Sequence, residues 1–237
     1  YHQLSDILLT FNRTYSLYQT SLQSLSVTPS SVLVDKIKDY FQTQMSVLPK
    51  TGSDKVTENE EEEEDDNERE NFVVLKKNRL ISSLGKLIAY RALPDSIDEH
   101  ASTILVHFTR HGKSVSTTIK TFLSLIREVL KYDFDTIFST MKTEWEEATT
   151  STDKDAFTNL YVLSSRLSST YGIYSARTDN MRLSLVNVIC KCITWVSQDS
   201  SARKSFFKHA TMPFISKLDA YAAARVLQEF NDKFSPL

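Results

Sequence analysis

Glycine and proline are scarce in this chain, with 4 and 5 residues among 237, about a third of average usage. That scarcity argues against an all-β fold with its many tight turns, against glycine-rich phosphate loops, and against a disordered chain. Cysteine is scarcer still, represented by Cys190 and Cys192 alone. On a helix a spacing of two sets them about 200° apart, so they neither pair nor chelate together. A disulfide framework and a zinc site of the usual kind are thereby excluded, and a reducing compartment is the natural setting. Apolar runs fall far short of a membrane span, and no signal peptide opens the chain. The first residue is Tyr1 rather than Met, which points to a piece of a longer protein.

Catalytic signatures are missing as well. There is no G-x-S-x-G elbow, Walker motif, G-x-G-x-x-G or kinase signature, and a helical chain with four glycines has few of the tight backbone approaches that substrate pockets use. His100, His107 and His111 fall at i, i+7 and i+11, along one face of a helix. The last two could bind a metal, but no Glu follows the first of them as a zincin requires, and no further ligand set is evident. Solvent-facing or partner-facing histidines are the expectation. The sequence therefore predicts no enzyme, no cofactor and no metal.

What is present is helical periodicity. Leu4, Ile7, Leu8, Phe11, Tyr15, Tyr18 and Leu22 mark one apolar stripe. Thr28-Pro29 reads as an N-cap with proline at the first helical position, opening a helix through Phe41 and Met45. Residues 58–70 then hold ten acids and one base, a local charge of −9, which leaves the remaining chain at +7 although the whole is −2. Like-charge repulsion without apolar groups predicts a disordered acidic insert over 50–70.

Helix resumes near Asn71 and runs to Leu93, where Pro94 stops it. A capping box at Ser96 and Glu99 opens the next helix, which ends at Gly112 as a left-handed cap. Further helices are predicted from Ser114 to Leu130, from Phe134 past Trp145, from a box-like start at Thr152–Asp155 to Gly172, and from a Thr178 cap to Val196. Two or three shorter ones follow, carrying Phe206 to Phe230. The expectation is about ten helices and no strand, an all-α solenoid of paired antiparallel helices resembling HEAT arrays. Residues 1–49 would form its first pair, and 71–237 would continue the array beyond the insert.

Two basic concentrations stand out. Lys76, Lys77, Arg79, Lys86 and Arg91 follow the acidic run, where they could meet phosphates or the neighbouring carboxylates. Arg203, Lys204 and Lys208 are equally consistent with a solvated helix face.

Taken in order, these segments resemble the C-terminal part of the HEAT-repeat body of stromalin, the stromal-antigen subunit of cohesin. Two helices precede an acidic insert, and a basic helix follows, here running from Lys76 to Tyr90. An Asp-x-His-Ala stretch is matched by Asp98-Glu99-His100-Ala101, a Tyr-Gly helix end by Tyr171-Gly172, and a late helix by Phe214 to Phe230. The connection Ala92–Ser96 looks longer than the family's usual one.

That resemblance implies a nuclear, chromatin-associated, non-enzymatic scaffold that binds the kleisin subunit and supports DNA association and sister chromatid cohesion. It implies kleisin contacts at Tyr90, Asp98 and His100, with Asp98 the principal anchor. Weak DNA contacts are assigned to Lys76, Lys77, Arg79 and Lys86. Structural alternatives stand beside these roles: Asp98 as a first-turn acid favoured by the helix dipole, Tyr90 as a plug in the core. A trafficking or transport adaptor binding peptide cargo is the rival reading of the same helices.

Overall fold

The computed structural model describes residues 29–47, 60–89, 93, 97–130, 133–172 and 178–234. All regular secondary structure among them is helical. The elements are α1 (Ser31–Val47), α2 (Glu60–Ala89), α3 (Ile97–Leu105) with a 3₁₀ turn at Val106–Phe108, α4 (Lys113–Leu130), α5 (Phe134–Thr150), α6 (Ala156–Ser169), α7 (Asp179–Ser197), a composite segment α8 over 204–215 with a π-helical turn at Phe207–Thr211, and α9 (Ala220–Phe234). The chain divides into two compact units within α4: residues through Leu125 belong to the first, and Ile126 opens the second.

In the first unit, α1, α2 and α3 pack on one another. Their apolar stripes supply the core, with Phe41 and Met45 from α1, Ile81, Leu84, Leu87 and Ile88 from α2, and Ala101, Ile104 and Leu105 from α3. The fourth helix lies along α2. Asn78 donates to Ser114 Oγ at 2.9 Å and accepts from Thr118 Oγ1 at 2.9 Å. Two turns further on, Gly85 faces the Phe122 ring so closely that a Cβ there would lie 2.7 Å from Cδ2. Both contacts advance toward higher numbers on both helices, so α2 and α4 run in the same direction. Glycine costs helix propensity, and here close approach is what it supplies.

The second unit packs α5, α6 and α7 with α8, and α9 lies on α7. Its centre holds Ile137, Met141, Leu160, Leu163, Val188, Ile189, Cys192 and Phe214. At one end Trp145, Trp195, Phe138 and Phe206 meet edge to face, with centroids 4.8–6.2 Å apart, an arrangement that adds to their burial energy.

Several helix ends differ from expectation. Helix α2 begins at Glu60, within the span expected as an acidic insert, and 50–59 lie outside the described residues. Glutamate is a good helix former, and acids near a helix N-terminus are favoured by the aligned peptide dipoles. The α1 helix starts at Ser31, with Leu33 N–H on Ser30 Oγ at 3.4 Å. Pro29 therefore precedes the first turn, and Thr28 lies outside the described residues. Gly112 is not a left-handed cap: the helix tightens into a 3₁₀ turn at Val106–Phe108, and the Gly112 carbonyl accepts from Ser116 to open α4. Gly172, with φ +68°, is the described glycine that takes that conformation, closing α6. Before α6, Asp155 N–H donates to Asp153 Oδ1 at 3.0 Å, an Asx turn in place of a capping box. Thr178 does cap α7, accepting from Met181 N–H at 3.3 Å. Tyr1 to Leu22 and Ser96 fall outside the described residues.

Gly85→Ala is expected to destabilise the chain by about 1 kcal/mol in urea unfolding, because overpacking against Phe122 outweighs the propensity gained. Adding Phe122→Leu to that variant should cost less than it does in the native background. A Gly85→Ala chain of native or greater stability would contradict the close-packed junction.

Candidate functional site

The acidic end of α3 is the candidate partner-binding point. Asp98 and Glu99 stand in its first turn, where carboxylates are stabilised by the unsatisfied N–H groups. Asp98 is half-buried and Glu99 exposed, whereas His100 and Ala101 are sealed in the core. Of the three expected kleisin contacts, Asp98 remains reachable. His100, at 3% exposure, is withdrawn from the surface. Tyr90 lies outside the described residues.

The basic cluster also separates. Arg79 and Lys86 are exposed and Lys76 is half-buried, but Lys77 is fully buried and cannot meet a phosphate in this arrangement. The reason is helical geometry: Lys77 falls on the α2 face that continues through Leu80, Ile81 and Leu84 into the core. Its Nζ lies 3.2 Å from His111 Nδ1, and His111 Nε2 lies 3.3 Å from His107 Nδ1. Burial lowers the lysine's affinity for its proton. As an ammonium, Lys77 is a donor only. With Lys77 donating, His111 accepts at Nδ1.

The two imidazoles stack with centroids 5.3 Å apart, and Phe41 of α1 meets His107 edge-on at 5.7 Å. Desolvation, with His111, Arg110 and Lys77 nearby, pushes the His107 pKa down to about 3. His107 is thus buried and His111 half-buried against Lys77, in place of the solvent-facing or partner-facing row expected. Among the described residues no group of three or more His, Cys, Asp or Glu side chains is placed to hold a metal ion.

In the second unit a buried polar network went unrecognised in the sequence. Asp133, 1% exposed, accepts Arg127 Nε at 2.6 Å on Oδ2. Its Oδ1 accepts Tyr171 Oη at 3.0 Å and Ser184 Oγ. Arg127 also donates to the Thr170 carbonyl at 3.1 Å and to Thr170 Oγ1 at 2.9 Å, and its guanidinium lies 4.6 Å from the centroid of the Tyr171 ring. Burial and the Asp133 charge raise the Tyr171 phenol well above its ordinary pKa. Arg127, Tyr171 and Ser184 all donate to internal acceptors, so this is a structural staple joining the end of α4, the start of α5, the end of α6 and α7. The only sequence signals were an acid just before a helix and a Tyr-Gly pair after one.

Arg203, placed with Lys204 and Lys208 in the second basic concentration, is likewise structural. It lies 4.0 Å over Trp195 and donates to the Trp195 carbonyl at 2.7 Å, while Lys204 and Lys208 stay exposed. Both cysteines are free thiols, and burial pushes Cys192 up to about 12, which makes it unreactive. No helix among the described residues is long and apolar enough to cross a membrane. Comparison with protein-family models, curated proteins and solved structures found no match.

Asp133→Ala is expected to cost about 3–5 kcal/mol, because it strands the Arg127 charge together with two buried hydroxyls. Tyr171→Phe, which removes one donor and leaves the ion pair, should cost about 1–2 kcal/mol. Equal losses in chemical denaturation would contradict Asp133 as the hub. A pH dependence follows from His107. Its folded pKa lies below the unfolded value, so the unfolded chain takes up the proton first as pH falls. Stability present above about pH 6.5 is lost toward pH 3, by up to about 1.4 kcal/mol per pH unit. His107→Asn should flatten that part of the stability profile, and an unchanged slope would contradict the assignment.

Proposed function

We propose that this chain is part of a non-enzymatic helical scaffold that captures an extended partner chain, and that the partner is the kleisin subunit of cohesin, as its resemblance to stromalin implies. One observation carries the reading. The Asp98-Glu99-His100-Ala101 stretch opens a helix with Glu99 exposed, Asp98 half-buried and its next two residues locked in the core. A carboxylate held on so rigid a base is suited to anchor an unfolded segment, which binds through spaced polar and apolar points in place of one deep pocket.

In this reading the helices pair antiparallel as in HEAT arrays. The parallel course of α2 and α4 supports it, since two like-directed helices are what successive pairs present. The scaffold would act in the nucleus on chromatin and contribute to sister chromatid cohesion. Arg79 and Lys86 are the exposed cations that remain for DNA, with half-buried Lys76 beside them, and Lys77 is left out.

Asp98→Lys should weaken capture of a kleisin segment by roughly tenfold or more, with helicity retained, because losing the dipole contact costs about 1 kcal/mol. Titration calorimetry with the intact chain checks this. An unaltered affinity would remove Asp98 from the site. A folded native chain that ignores kleisin would overturn the proposal and leave the peptide-cargo adaptor as the reading to pursue.

A further inference from the structure

Helices α2 and α4 run side by side in one direction, and their outward sides form a single face. Asn78 is level with the turn between Ser114 and Thr118, and Gly85 with Phe122. On α2 the side through Leu80, Ile81 and Leu84 is buried, while Arg79 and Lys86 are exposed. On α4 the side through Val115, Ile119 and Leu123 is buried, while Lys113, Thr117, Lys120, Thr121 and Ser124 are exposed. Arg79 and Lys86 lie about 80–100° round α2 from Asn78, and Thr117 and Thr121 about 60–100° round α4 from Thr118 in the opposite sense. On two parallel helices in contact, opposite senses lead to the same side.

The cations on this face make two rows. Arg79 and Lys86, seven residues apart, lie along α2. Lys113 and Lys120, also seven apart, lie on the farther flank of α4, about 140–160° round from Thr118. Placed on a common axis by the contacts above, the four alternate between the helices in the order Lys113, Arg79, Lys120, Lys86. Each is about 5 Å beyond the last, and the series spans about 16 Å. From Asn71 to the end of α2, and from Lys113 to Arg127 of α4, there is no acid. None of the four is in an ion pair with another described residue. Between the rows stand hydroxyls. Thr117 Oγ1 donates to the Lys113 carbonyl at 3.0 Å, Thr121 Oγ1 to the Thr117 carbonyl at 3.2 Å, and Ser124 Oγ to the Lys120 carbonyl at 3.0 Å. A hydroxyl has one proton. With it spent on the helix backbone, each of these exposed oxygens is left as an acceptor.

We propose that this face binds a short acidic segment of a partner polypeptide, laid in extended form along the furrow between α2 and α4. At about 3.3 Å per residue, five or six residues cover the series of cations. Successive side chains of an extended segment point to opposite sides, which suits carboxylates to a furrow with cations on both flanks. The long stems of Lys and Arg let the charged heads reach inward from either row. The hydroxyls decide between the two kinds of anionic partner. A peptide backbone brings N–H donors that Thr117, Thr121 and Ser124 can accept, whereas the sugar–phosphate backbone of DNA has none to offer them. The inference takes Arg79 and Lys86 for this ligand in place of DNA, and it leaves the capture of kleisin at Asp98 as it stands.

Fluorescence anisotropy of the intact chain with a labelled hexaglutamate peptide tests it, beside a hexaglutamine peptide and a short DNA duplex. Saturable binding of hexaglutamate is expected at low salt, weakening as salt is raised, with none of hexaglutamine. Lys113→Glu with Lys120→Glu, and Arg79→Glu with Lys86→Glu, should each weaken it by at least about tenfold. Thr117→Val with Thr121→Val keeps the charges and should still weaken the peptide by about threefold or more, with the duplex unaffected. Circular dichroism establishes that each variant keeps its helicity, and the valine pair gives a reading that does not depend on charge. A chain that ignores hexaglutamate at about 1 mM, or an affinity indifferent to the reversal on α4, would overturn the proposal. So would a duplex that binds more tightly than the peptide and is lost with the reversal on α2, an outcome that returns those cations to DNA.

Discussion

The close contact between α2 and α4 decides which part of the first unit is left for other molecules. Gly85 lets the Phe122 ring sit against the α2 backbone, and Asn78 ties Ser114 and Thr118 to the same flank. With that flank committed to α4, and the Leu80–Ile81–Leu84 side committed to the core, α2 is fixed in rotation. Phe72, Leu75, Arg79, Ser82 and Lys86 are what remains outward. A larger residue at 85 would push the helices apart and loosen the constraint that orients this face.

The second unit solves a different problem, that of a carboxylate with almost no access to water. Burying Asp133 is tolerable because a guanidinium and two hydroxyls surround it, and the same guanidinium closes the end of α6 through Thr170. Buried ion pairs of this kind add little net stability compared with apolar replacements, but they penalise any packing in which the partners are separated. Four helix ends thereby share one geometry. This explains why a polar cluster lies at the edge of an otherwise apolar core.

Much of the fold was legible because amphipathic stripes are local. The apolar positions of α4 and α7, and the Thr178 cap, follow from spacing and side-chain chemistry alone. Features that depend on distant partners were not. Lys77 reads as one more exposed cation until the helix is rotated by its contacts, and Arg127 and Tyr171 are 44 residues apart in sequence. At the candidate site, the place of Asp98 in the first turn of a helix follows from the sequence, while the inward turn of His100 needed the packing of α3 on α1 and α2.

The central functional claim is that the chain holds a partner on an exterior helix end and performs no reaction. Amide hydrogen exchange of the intact chain, with and without a saturating kleisin segment, addresses it most directly. Slowed exchange in the first turn of α3, with the amides around Asp133 unchanged, is the pattern the account predicts. Exchange unaltered in that turn, or protection confined to the buried Asp133 network, would contradict it.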